Sequence, residues 1–88
     1  MNKITEKQLL TDKIVEAIQD TKGEDIMIFD LSTIENSVAQ TFIICTGNSN
    51  TQVSAISGNT QKKVRNDLHD RPWHVEGTEN SLWVLLDY

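Results

Sequence analysis

The chain has one cysteine, one proline, few aromatics (6%) and apolar runs only a few residues long. A lone Cys45 cannot close an internal disulfide, which excludes the disulfide-stapled scaffolds of small secreted domains. Runs this short fall far below the ~20 apolar residues of a membrane-crossing helix. The first residues, Met1-Asn2-Lys3-Ile4-Thr5-Glu6, lack the apolar segment of a secretory signal. These absences together predict a cytoplasmic protein without membrane contact. A basic excess is also missing: 13 acidic residues face 8 basic ones, for a net charge of −5. A general nucleic-acid binder would need a basic face to displace phosphate counterions, so the expected partner is a basic protein. Charge of either sign is absent from residues 36–61. Such a stretch is either buried or part of a contact surface, and burial is the favoured reading.

What is present fits one domain or part of one. Eighty-eight residues with 38% hydrophobic and 24% charged content are ordinary for a globular chain. At this size only ~60–65% of the unfolded surface is buried, so the margin of stability is thin. The chain ends on Trp83-Val84-Leu85-Leu86-Asp87-Tyr88, an apolar strand with no turn or helix behind it. Domains seldom end that way, so the 88 residues are expected to be the front part of a longer unit.

Local signals place the elements. Thr5-Glu6-Lys7-Gln8 has capping-box form, and Leu10, Ile14, Ala17, Ile18 and Thr21 share one helical stripe. This predicts a helix over residues 6–22, stopped by Gly23 in left-handed conformation. Ile26-Met27-Ile28-Phe29-Asp30-Leu31 and Thr41-Phe42-Ile43-Ile44-Cys45-Thr46 are short and nearly all apolar, as in strands covered on both faces. Residues 32–40 between them predict a loop. Ser49-Asn50-Thr51-Gln52 is a second capping box, and Val53, Ile56, Thr60, Val64 and Leu68 continue at helical spacing to about residue 69. Gly58 within that helix points to close packing against a strand. Trp73-His74-Val75-Glu76, a turn at residues 77–80 and a strand over residues 82–88 complete a hairpin. The order α-β-β-α-β-β predicts an α/β fold, a mixed β-sheet with helices packed on it.

Catalytic chemistry finds little support. Gly47-Asn48-Ser49 joins a strand to a helix, where backbone N–H groups can hold an anion. A phosphoryl-transfer enzyme of nucleotidyltransferase type would also need paired carboxylates for metal, and the next acids are Asp67 and Asp70. Turn and capping chemistry accounts for the segment. Cys45 sits mid-strand without a basic neighbour, and His69 and His74 lack companions at metal spacing. No catalytic residue, metal or cofactor is expected. The last strand is different, because Trp83, Leu85 and Asp87 share one face while Val84, Leu86 and Tyr88 share the other. Both faces are apolar. Either missing segments cover both, or one is a docking surface anchored by Trp83, the residue type most enriched at interface hot spots. The candidate partner-binding residues are Trp83, Leu85 and Asp87, with Glu76 and Trp73 on the neighbouring strand.

Four segments then carry a resemblance. Lys22-Gly23-Glu24-Asp25-Ile26, the run from Phe42 through Gly47-Asn48-Ser49 to Val53, Val75-Glu76-Gly77 and Trp83-Val84-Leu85-Leu86-Asp87-Tyr88 are together similar to the ribosomal silencing factor family (RsfS, or Iojap). The resemblance spans the chain from the first helix to the last residue. It implies a degenerate nucleotidyltransferase-like fold without catalytic carboxylates. It also implies a translational repressor that binds protein fourteen of the large ribosomal subunit and sterically blocks subunit joining. Family members usually continue past the Asp87-Tyr88 position with a further strand and a helical segment, so residues 1–88 are expected to be a single domain lacking both. The chain also departs from the family's Ala-Asp-Tyr-like segment, having Ala39-Gln40-Thr41. The alternatives from other classes are a phosphoryl-transfer enzyme and a homodimerising interaction module.

Overall fold

A computed structural model describes residues 5–31 and 41–88; the expected loop over residues 32–40 lies outside them. Helix α1 runs Glu6–Asp20, with Thr5 as N-cap accepting the Gln8 backbone N–H on Oγ1 at 3.1 Å. It stops two residues earlier than the spacing predicts. The Gly23 N–H donates to the Ile18 carbonyl at 2.9 Å and the Lys22 N–H to the Gln19 carbonyl at 3.1 Å, the paired bonds of a Schellman ending. The left-handed residue is Lys22, at φ 65°, and not Gly23. Gly23 answers a different need: a Cβ there would run into Cγ2 of Ile18, which is buried.

Strand β1 (Glu24–Asp30) pairs antiparallel with β2 (Thr41–Thr46), matching Met27 to Ile44, Ile28 to Ile43 and Phe29 to Phe42. Between Glu24 and Met27 the register shifts by one residue, and Asp25 there adopts φ 52°. Asp is among the few residues that tolerate this conformation in a bulge. The Thr46 hydroxyl lies 3.3 Å from both the Glu24 carbonyl and Asp25 Oδ2. Neither strand is interior, contrary to expectation. In β1 only Ile26 is half-buried, and Met27, Ile28 and Phe29 are 41–52% exposed. In β2, Phe42 and Ile44 are exposed while Ile43 and Cys45 are half-buried. The helices contact this ladder through α1 and β2, and a two-stranded ribbon cannot shelter its own second face.

Helix α2 (Asn50–Leu68) packs along α1. Ala17 and Ile18 of α1 meet the side of α2 that carries buried Ile56, Ser57, Thr60 and Val64, so both expected stripes face inward. The uncharged segment is thus buried only along this side of α2; β2 and the outer face of α2 remain open. Its amides have a specific task. Gln52 Nε2 donates to the Lys22 carbonyl at 2.9 Å and the Thr21 carbonyl at 3.3 Å, and Asn59 Nδ2 to the Ala17 carbonyl at 3.0 Å. Lys63 adds ion pairs to Asp20 at 2.6 Å and Glu16 at 3.0 Å, and Lys13 one to Asp67 at 3.1 Å. The Lys63 contacts hold the Glu16 carboxyl below its ordinary range, while bonds to Asp20 and Glu16 push the Lys63 ammonium up.

The third and fourth strands, β3 (His74–Glu76) and β4 (Leu85–Asp87), form a second antiparallel ladder. The expected hairpin is present, with its last strand confined to three residues. The α/β arrangement holds, but the strands form two separate antiparallel ladders in place of one mixed sheet. Gly58 also departs from expectation: it is exposed and a Cβ would meet nothing within 4 Å.

These two glycines should respond oppositely to alanine. Gly58→Ala should stabilise by up to about 1 kcal/mol, because only helix propensity changes. Gly23→Ala should destabilise by about 1–3 kcal/mol through overpacking against Ile18. Urea unfolding of the two variants beside the parent measures both signs.

Candidate functional site

The β3–β4 hairpin gathers every candidate partner-binding residue. Its register sets His74 opposite Asp87, Val75 opposite Leu86 and Glu76 opposite Leu85. Because paired residues point to the same side, His74, Glu76, Leu85 and Asp87 share one face and Val75 and Leu86 the other. Exposure follows that alternation. Trp83, Leu85 and Asp87 are exposed, whereas Val84, Leu86 and Tyr88 are half-buried. One face is therefore covered and the other open. Trp73 stands just before β3, its N–H donating to the Asp87 carbonyl at 2.6 Å, and its side chain is 88% exposed. Trp83 is 59% exposed and Leu82, not foreseen, 69%.

Gly77 shapes the turn. Its φ is +86°, and a Cβ would collide with the Trp83 carbonyl and sit 3.0 Å from the indole Cε3. The glycine lets the indole and its backbone lie directly on the end of β3. Ser81, also at positive φ, is buried at the far side of the turn and donates its N–H to the Gly77 carbonyl at 3.3 Å. Tyr88 faces the covered side, where burial first and the Asp70 carboxylate second push its hydroxyl up to about 12, so it stays neutral. The open face is acidic, with Glu76 and Asp87 exposed on it. His74 joins them, its Nε2 2.6 Å from Glu76 Oε1. The two-residue spacing of His74 and Glu76 is a strand signal that could have included His74 among the candidates.

The other positions weighed for chemistry are occupied by structural bonds. Ser49 Oγ accepts the Gln52 N–H at 3.1 Å, and Gln52 Oε1 accepts the Asn48 N–H at 2.5 Å. The amides that could have cradled an anion after Gly47 are thus engaged in part by side chains of α2. Burial pushes the half-buried Cys45 thiol up, away from the reactive thiolate. Among the described residues no group of three or more His, Cys, Asp or Glu side chains is placed to hold a metal, and no helix is long and apolar enough to cross a membrane.

Comparison with known proteins identifies this arrangement. The chain matches the family described as "Ribosomal silencing factor during starvation" over residues 4–88. It is 38% identical over 82 residues to the ribosomal silencing factor RsfS of Chromobacterium violaceum, covering 93% of this chain and 66% of that protein. The RsfS of Halalkalibacterium halodurans is 36% identical over 80 residues, 91% of this chain and 67% of the relative. A crystal structure of a Chromobacterium violaceum protein superposes with a TM-score of 0.85 at 37% identity, over 94% of this chain and 68% of the other. One from Bacillus halodurans gives 0.80 at 36% identity, over 91% and 72%. The named relatives are regulatory proteins of translation rather than enzymes. The chain belongs to the ribosomal silencing factor (RsfS) family. It spans about two thirds of the length of these curated relatives.

Gly77→Ala should open the hairpin selectively. The strained φ and the clash with the Trp83 carbonyl should together cost about 2 kcal/mol or more. Amide hydrogen exchange should then accelerate at Trp73, whose N–H bonds Asp87, while the interior amides of α1 and α2 keep their protection.

Proposed function

We propose that this chain represses translation by binding and exclusion. It docks on protein fourteen of the large ribosomal subunit, at the face that meets the small subunit, and its bulk prevents subunit joining. It acts in the cytoplasm without a cofactor, without catalytic turnover and without sequence-specific contact to nucleic acid. Membership of the ribosomal silencing factor family supports the ribosomal target. The observation that carries the choice of surface is the exposed, acidic hairpin with Trp83 standing beside Leu85, Asp87, Glu76 and Trp73. Aromatic anchors ringed by acids suit a basic protein partner, since the rings supply desolvated contact area and the carboxylates steer and orient. Nothing on this surface must move or react for exclusion to work. Self-association through the open strand edges is the competing use of the same hairpin.

Co-sedimentation with purified large subunits tests the assignment. Trp83→Ala should weaken binding by about 2 kcal/mol or more. Its melting temperature should change little, because the indole is mainly exposed rather than core. Asp87→Lys should weaken binding as well by reversing a charge that faces a basic partner. A folded Trp83→Ala protein that pellets at the parental level would remove Trp83 from the interface. Loss of a dimer in sedimentation velocity with ribosome binding intact would assign the hairpin to self-association.

A further inference from the structure

Resting on that reading of the hairpin as the docking surface, we infer that His74 makes ribosome docking weaken as pH falls. The open face of β3 and β4 carries three titratable side chains: His74 and Glu76 on one strand, and Asp87 on the other, directly opposite His74. Leu85 is the remaining member of this face, so no further charged group on either strand lies between the imidazole and the two carboxylates. Outside the ladder, Asp70 and Arg71 precede β3, with Asp70 Oδ1 accepting the Arg71 N–H at 2.8 Å. His74 Nε2 already contacts Glu76 Oε1 at 2.6 Å, and all three side chains are exposed.

The consequence follows from charge counting on one face. With a neutral imidazole, Glu76 and Asp87 present two negative charges to a partner. A protonated imidazole reduces that sum to one and holds the Glu76 carboxylate in an internal ion pair. A partner lysine or arginine must then displace the imidazolium to reach Glu76. Histidine is the side-chain type whose charge changes between pH 5 and 8. Docking of a basic protein surface therefore loses attraction on acidification, and the sign of the effect reports the charge of the partner. An RNA phosphate backbone at the same place would be bound more tightly, since the added positive charge would attract it.

Affinity for purified large subunits, measured by co-sedimentation at pH 8 and at about pH 5.5, tests this with the whole chain. The parent should bind about two- to fivefold more weakly at the lower pH, the range expected of one exposed ion pair. His74→Gln should lose that decrement, while His69→Asn, at the end of α2, should retain it. The difference between parent and His74→Gln should shrink as salt is raised. Parallel changes in the parent and His74→Gln would overturn the role of His74 while leaving the ribosomal reading intact. A His74-dependent gain of affinity at low pH would overturn the basic-protein partner in favour of an anionic one. No binding at either pH would sink the ribosomal reading, and this inference with it.

Discussion

The C-terminal end of α1 constrains the rest of the fold. A helix ending leaves carbonyls without internal partners, and a packed interface leaves little water to satisfy them. This chain meets that need from another element. Gln52 and Asn59 reach from α2 to the carbonyls of Thr21, Lys22 and Ala17, and the Schellman bonds satisfy Ile18 and Gln19. Each such bond is worth only about 1 kcal/mol net, but an unsatisfied buried partner costs about 1–3 kcal/mol, so the geometry is strongly selected. The same residues fix how closely the helices approach. Ala17, Ser57 and Gly23 are small where the backbones draw near, and Ile18, Ile56 and Val64 fill the remaining space.

This clasp explains why a stretch without charge runs through β2 and into α2. Long charged side chains at Gln52 or Asn59 would have to be desolvated between two helices, whereas neutral amides can donate to carbonyls at modest desolvation cost. Charge returns at Lys63, where the helix pair opens to solvent and Glu16 and Asp20 stand opposite. The helices thus form the stable body, and Gln52 also ties the turn after β2 to that body through the Asn48 N–H.

The β3–β4 hairpin has a different character. It forms a ladder separate from β1 and β2, turns on a strained glycine and displays two tryptophans. Its covered face, with Val75, Val84 and Leu86, is what can hold it in place. Its open face is left to water or to a partner. A steric repressor needs little more than a rigid body and an adhesive surface, and the two-part arrangement supplies both. The exposed face of the β1–β2 ladder, formed by Met27, Phe29, Phe42 and Ile44, is a second apolar area of this chain.

Short-range chemistry was legible before any coordinates. The caps at Thr5 and Ser49, the inward stripes of both helices, the hairpin and the alternation of Trp83, Val84, Leu85 and Leu86 depend on neighbours within a few residues. The five candidate docking residues were found for the same reason, since strand parity alone puts them together at one end of the chain. What depended on distant groups was not legible. Apolar β1 looked interior, yet only packing decides whether anything covers it. Gly23 and Gly58 are chemically alike in the sequence, but one lies against Ile18 and the other faces open space. Gln52 was read as a local cap, while its longest reach is to the other helix. His74 gained meaning only when the register set it opposite Asp87 and beside Glu76. Sequence determines periodicity and capping because those are nearest-neighbour properties; tertiary structure alone decides which carbonyl an amide finds and which apolar face remains in water.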